Sequence, residues 1–155
     1  MVNSYRKGYR GENQLVHIFK ESGIEAKRVP MSGGTQFAKG DIHISHNGKV
    51  LKVEVKIRKD AFKLLYALID VNKHNTILVR QDNELTLILM RLTDFIEFLC
   101  GGITLQELQE IEPMNFKRGL KKVYEYLEGN DILIVKADRR EYLVLTPYNH
   151  WVNLG

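Results

Sequence analysis

The chain has 155 residues, a formal net charge of +4, 44% hydrophobic residues and one cysteine. This is enough for one domain with a sizeable core, and it excludes an intrachain disulfide. No apolar run approaches the ~18–20 residues needed to cross a membrane and no signal peptide is read at the start, so a cytoplasmic, intracellular protein without membrane attachment is expected. The charge is uneven: residues 1–60 hold 12 Lys/Arg against 6 Asp/Glu, and residues 61–155 hold 11 against 13. A basic N-terminal part points to a polyanionic partner, nucleic acid first.

In chain order, residues 1–7 are expected to form a mobile arm carrying Arg6 and Lys7. Gly8 to Glu21 has helical spacing, with Leu15, Val16, Ile18 and Phe19 as its buried stripe and Gly23 as its stop. Glu12 lies near the edge of that stripe, toward a helix N-terminus where the helix dipole favours acidic residues. Ile24 to Val29 reads as a short strand. The loop from Pro30 to Gln36 is rich in glycine and small polar residues and lacks the phosphate-cradling G-x-x-x-x-G-K-[ST] pattern. It leads through Lys39-Gly40 into the most informative stretch of the chain.

Residues 39–59 read as a hairpin turning at Asn47-Gly48, because a type I′ turn needs positive φ at both central positions. That turn sets the register: His46 opposite Lys49, Ile44 opposite Leu51, Ile42 opposite Val53 and Asp41 opposite Glu54. One face carries Ile42, Ile44, Leu51, Val53, Val55 and Ile57. The other carries Asp41, His43, Lys52, Glu54 and Lys56. Two carboxylates about 5 Å apart repel by roughly 3 kcal/mol at an effective dielectric near 20. A cation removes that cost, and oxygen ligands on strands suit Mg²⁺ or Mn²⁺ better than zinc. Asp41, Glu54 and Lys56 therefore fit a metal-dependent hydrolytic site. They equally fit a solvated strand face whose carboxylates pair with lysines.

Beyond the hairpin, Asp60 is placed to cap a helix from Ala61 to Val71, whose broad apolar face leaves Phe62, Leu65 and Ile69 as candidates for a two-fold contact between subunits. Strands are expected over Thr76–Arg80 and Leu85–Met90, then a helix from Thr93 or Asp94 to Leu99, with Cys100 as packing. A short helix at Leu105–Ile111 is interrupted by Pro113. A second follows over Phe116–Leu127, with Lys117, Arg118, Lys121 and Lys122 outward, and Ile132–Val135 and Tyr142–Leu145 read as a terminal strand pair. The fold class is α/β (mixed α+β), a central mixed β-sheet flanked by helices. Residues 1–155 form a single domain with a core at about 5–100 and an extension of open role at about 103–155. The five histidines have no zinc-ligand spacing.

Glu12 on the first helix, Asp41 at a strand start and Glu54-Val55-Lys56 on the next strand resemble the PD-(D/E)XK nuclease superfamily. With Arg6-Lys7-Gly8, Arg28, Pro30, Ser32 and Gly33 in the same order, the chain is similar to archaeal-type Holliday-junction resolvases, a family also found in some viruses. The resemblance implies a restriction-endonuclease-like core and a structure-selective endodeoxyribonuclease that hydrolyses four-way junctions symmetrically as a homodimer. It implies that Asp41, Glu54 and the Val55 carbonyl hold Mg²⁺, with Mn²⁺ as substitute, and that Glu12 completes the site directly or through water. Lys56 then orients the attacking water, Ser32 belongs to the catalytic loop, and Arg6, Lys7, Arg28, Lys39, Arg58 and Lys59 contact DNA. Asn13 stands where relatives often carry arginine, a contact that Arg10 can supply. Gly40 stands where the superfamily name has proline. Two further readings stay open: another nuclease of the superfamily, restriction- or repair-like, and a DNA-binding relative that does not cut.

Overall fold

The computed structural model describes residues 3–29, 40–72 and 76–152, with side chains from residue 8 onward. Its centre is the predicted hairpin. Asn47 and Gly48 turn with φ of 49° and 78°, the double positive φ of a type I′ turn. They join β2 (Ile42–His46) to β3 (Lys49–Arg58) in the expected register, from His46 opposite Lys49 to Ile42 opposite Val53. β1 (Glu25–Arg28) adds antiparallel to the outer side of β2.

Beyond β3 the chain forms α2 (Lys63–Val71), the antiparallel pair β4 (Thr76–Gln81) and β5 (Thr86–Arg91), α3 (Leu92–Leu99) and α4 (Leu105–Gln109). It ends with β6 (Met114–Phe116), α5 (Lys121–Leu127), β7 (Ile132–Ala137), β8 (Leu143–Pro147) and α6 (Tyr148–Val152). These strands make one eight-stranded mixed sheet in the order β1-β2-β3-β7-β8-β5-β4-β6. β7 lies parallel to β3, with Glu54 opposite Leu133 and Lys56 opposite Val135. The stretch beyond residue 103, whose role the sequence leaves open, thus supplies the two strands at the middle of the sheet.

Helices cover both faces. On one, Leu15 and Phe19 of α1 (Asn3–Glu21), Phe95 and Phe98 of α3 and Trp151 of α6 pack on Ile42, Ile44, Val53, Ile132 and Ile134. On the other, Leu65 and Ile69 of α2, Leu120 just before α5, and Val123 and Leu127 of α5 pack on Leu133, Val135 and Leu145. β7 is buried on both sides, so Ile132-Leu133-Ile134-Val135 is one unbroken apolar run. Gly11 brings α1 onto β3: a Cβ there would collide with the Ile57 side chain.

Several expectations are corrected. Residues 3–7 are the first turn and a half of α1, not an arm. Helix α2 begins at Lys63, because Phe62 sits in the left-handed region (φ 64°), and no side chain, Asp60 included, caps it. Leu65 and Ile69 are 2% and 0% exposed and Phe62 is half-buried beside them, so these residues fill the subunit's own core rather than a spare surface. The expected helix from Phe116 starts only at Lys121, since Phe116 ends β6 beside Gln81. Cys100 is exposed. Among the described residues, no helix is long and apolar enough to cross a membrane.

Candidate active site

The site lies where β2 and β3 part. Their ladder ends at Ile42 opposite Val53. Asp41 then leaves the regular pattern: its N–H donates to the Val53 carbonyl at 2.8 Å, and its own carbonyl accepts from Val29 N–H at 3.0 Å. Gly40, at φ 87°, makes this departure possible; it is a conformation closed to proline, whose ring fixes φ near −65°. The Asp41 Oδ2 accepts the Val55 N–H at 2.8 Å, a donor that the departing β2 no longer pairs. Along a strand the N–H and C=O of one residue project to the same side, so the Val55 carbonyl also faces this opening.

Glu54 stands next to Asp41 on the sheet face away from Val53 and Val55. Its Oε1 lies 3.6 Å from Lys56 Nζ, and its Oε2 accepts from Asn130 Nδ2 at 3.3 Å. Burial, then the negative charge of Asp41 and a side-chain hydrogen bond with it, push the Glu54 carboxyl up to about 7 against the pull of Lys56. Glu12, from α1, is the third carboxyl. Burial and the charge of Asp41 raise it, against a 3.1 Å bond from Arg28 Nε. The two raised groups share one neighbour in Asp41, so the repulsion expected from the hairpin alone is present and extends to α1.

These donors fit a hard divalent cation. They are oxygen-only, and a cation among them relieves the repulsion that raises Glu54 and Glu12. Among the described residues, no group of three or more His, Cys, Asp or Glu side chains is placed to hold a metal ion by itself.

The remaining predicted residues divide. Lys56 faces the site, with its Nζ 4.9 Å from the Tyr126 ring centre. Arg28 is half-buried, bonded to Glu12 and stacked 4.2 Å over Tyr9. Arg10 is exposed on α1, and Arg58 and Lys59 are exposed at the end of β3. Ser32 and Lys39 lie outside the described residues. Arg6 and Lys7 fall within α1, and their side chains lie outside them too. His43 is half-buried on β2 opposite Lys52. Sequence reasoning missed Asn130 and Tyr126. Both come from the end of α5 and the turn after it, 76 residues beyond Glu54 in the case of Asn130, and only the parallel pairing of β7 with β3 brings them here.

Comparison with known proteins follows this geometry. No curated protein matches the chain. Among solved structures, that of Hjc, a Holliday junction resolvase from the hyperthermophile Archaeoglobus fulgidus, aligns at 16% identity and a TM-score of 0.40, over 92% of this chain and 78% of that one. The family model described as archaeal Holliday junction resolvase (Hjc) matches residues 3–88, a span that holds Glu12, Asp41, Glu54 and Lys56 and exceeds half of the sequence. The chain belongs to the archaeal Holliday junction resolvase family.

Proposed function

We propose that this chain is a metal-dependent endodeoxyribonuclease that cuts four-way DNA junctions by phosphodiester hydrolysis. The observation that carries the reading is the pairing of Asp41 and Glu54, with Lys56 beside them, at the opening between β2 and β3. Asp41, Glu54 and the Val55 carbonyl are the groups that hold Mg²⁺ or Mn²⁺, with Glu12 reaching the site directly or through water. When bound, the cation supplies Lewis acidity toward a phosphoryl oxygen and lowers the pKa of a coordinated water.

The chain's own residues do the rest. Glu54 and Lys56 are an acceptor and a donor 3.6 Å apart, so together they orient a water for attack. The Lys56 ammonium also stabilises the negative charge that grows on the phosphate. Arg10, exposed on α1, and Arg58 and Lys59, exposed at the end of β3, bind backbone phosphates together with Arg6, Lys7, Arg28 and Lys39. Ser32 contributes from the loop before Gly40. Two such sites in a homodimer cut symmetric strands of the junction, within the cell or virus-infected cell that holds the DNA.

The test uses Asp41→Asn. The variant is expected to fold and to bind a labelled junction as the wild type does, while cleavage is lost. Chelation of the divalent cation should have the same effect on the wild type. Full cleavage by Asp41→Asn refutes the assignment.

A further inference from the structure

The end of α5 and the turn after it close over the site from a part of the chain outside the family match. Tyr126 places its ring beneath Lys56 Nζ. Gly129, at φ 79°, turns the chain, and Asn130 N–H donates to the Leu127 carbonyl at 2.8 Å. Asp131 clamps the turn to β3: its N–H donates to the Lys52 carbonyl at 2.9 Å, and its Oδ2 accepts Lys52 N–H at 2.8 Å. Asp131 is thus fixed two residues along β3 from Glu54, and holds Asn130 beside it.

The Asn130 amide has one possible orientation. Three acceptors converge on one end of it: Glu54 Oε2 at 3.3 Å, the Tyr126 carbonyl at 3.2 Å and the Glu128 carbonyl at 3.4 Å. That end is the nitrogen, because an oxygen there would face three lone pairs. The other end, Oδ1, is buried beneath Gly40 and has no hydrogen-bond partner among the described residues. Asn130 therefore touches Glu54 through its nitrogen, while its oxygen fills the space that a Cβ at position 40 would need.

We propose that Asn130 is a positioning residue for the reaction, holding the Glu54 carboxylate in the orientation that receives the divalent cation. The inference rests on the metal-dependent reading of the site. Partners that orient ligating carboxylates typically matter by about 10–100-fold in metal affinity or activity.

The test is a comparison of Mn²⁺ binding, by calorimetry on the full chain, in two backgrounds. Asn130→Ala is expected to weaken Mn²⁺ binding by about tenfold or more in the wild type, and by less than about threefold when Glu54→Gln has already removed the carboxylate it orients. Junction binding in chelator should be unchanged. Equal weakening in both backgrounds marks a general structural effect and overturns the proposal, as does no weakening in either. If Asn130→Ala does not fold, Asn130→Ser, whose hydroxyl is too short to reach Glu54, is measured in the same two backgrounds and judged by the same outcomes. A wild type that binds Mn²⁺ but cuts no junction refutes the resolvase reading and leaves this inference standing. A wild type that binds no Mn²⁺ overturns both.

Discussion

Asp41 governs the behaviour of the residues around it. Burial raises both Glu12 and Glu54, and the charge of Asp41 raises each of them further. The pH consequence has a definite sign. A carboxyl raised above its ordinary value favours the protonated folded state, so its contribution to stability is whole below about 4.5. It is lost as pH rises through the folded value, about 7 for Glu54. In chelator, the melting temperature is expected to fall between pH 5 and pH 8, Glu54→Gln to flatten the fall, and Mn²⁺ to reverse it at the upper end. A wild-type curve that rises over this range contradicts the assignment. Lys56 makes the complementary prediction: Lys56→Gln should lower the cleavage rate by ~10²–10⁴, the range for a positioned proton-transfer group, with melting temperature and junction affinity retained. An equal loss of thermal stability would make Lys56 structural. That Asp41, Glu54 and Lys56 come together was legible from the register that Asn47-Gly48 imposes, and Glu12 entered only through the family resemblance. Asn130 was not legible, because nothing in the local sequence marks a residue that acts across a parallel strand pair.

Elements were legible where local chemistry decides them. The hairpin follows from Asn47-Gly48, and α1 from its apolar stripe ending at Gly23. Helix α2 was misjudged at its start because Phe62 adopts a left-handed conformation, rare for a bulky residue and unmarked by sequence. Its apolar face looked too wide for one small sheet, but it packs with residues of β5, β7 and β8 of a sheet of eight strands. The α1–β3 contact gives a prediction at this scale. Gly11 is fully covered, and a side chain there meets Ile57 three residues beyond Glu54. Gly11→Val is expected to destabilise the fold by roughly 1–3 kcal/mol, the usual cost of overpacking, and to lower cleavage further by moving Glu12 away from Asp41. Denaturant unfolding and a cleavage assay check the two effects; unchanged stability would show that α1 does not rest on β3 at this point.

The whole molecule was legible as a mixed sheet flanked by helices, but not in its strand order. β7 and β8, read as a terminal pair, lie between β3 and β5. Only long-range pairing decides this, and a run such as Ile132–Val135 states that it is buried on both faces without stating between which neighbours. The consequence for function is that the candidate site draws on both ends of the chain, since Tyr126 and Asn130 lie against Lys56 and Glu54. Junction selection belongs to this scale as well, because one basic surface binds any duplex through counterion release and loses affinity steeply with salt. Choosing a four-way junction requires two such surfaces at a fixed separation, as a homodimer provides. The most direct measurement is cleavage of a labelled four-way junction against a matching linear duplex, with and without Mg²⁺, at a protein concentration whose oligomeric state is set by sedimentation. The account predicts a dimer that makes paired, symmetric cuts in the junction, spares the duplex and is silent without the cation. A monomer that cuts both substrates alike, or a protein that cuts the junction equally well in chelator, would contradict it.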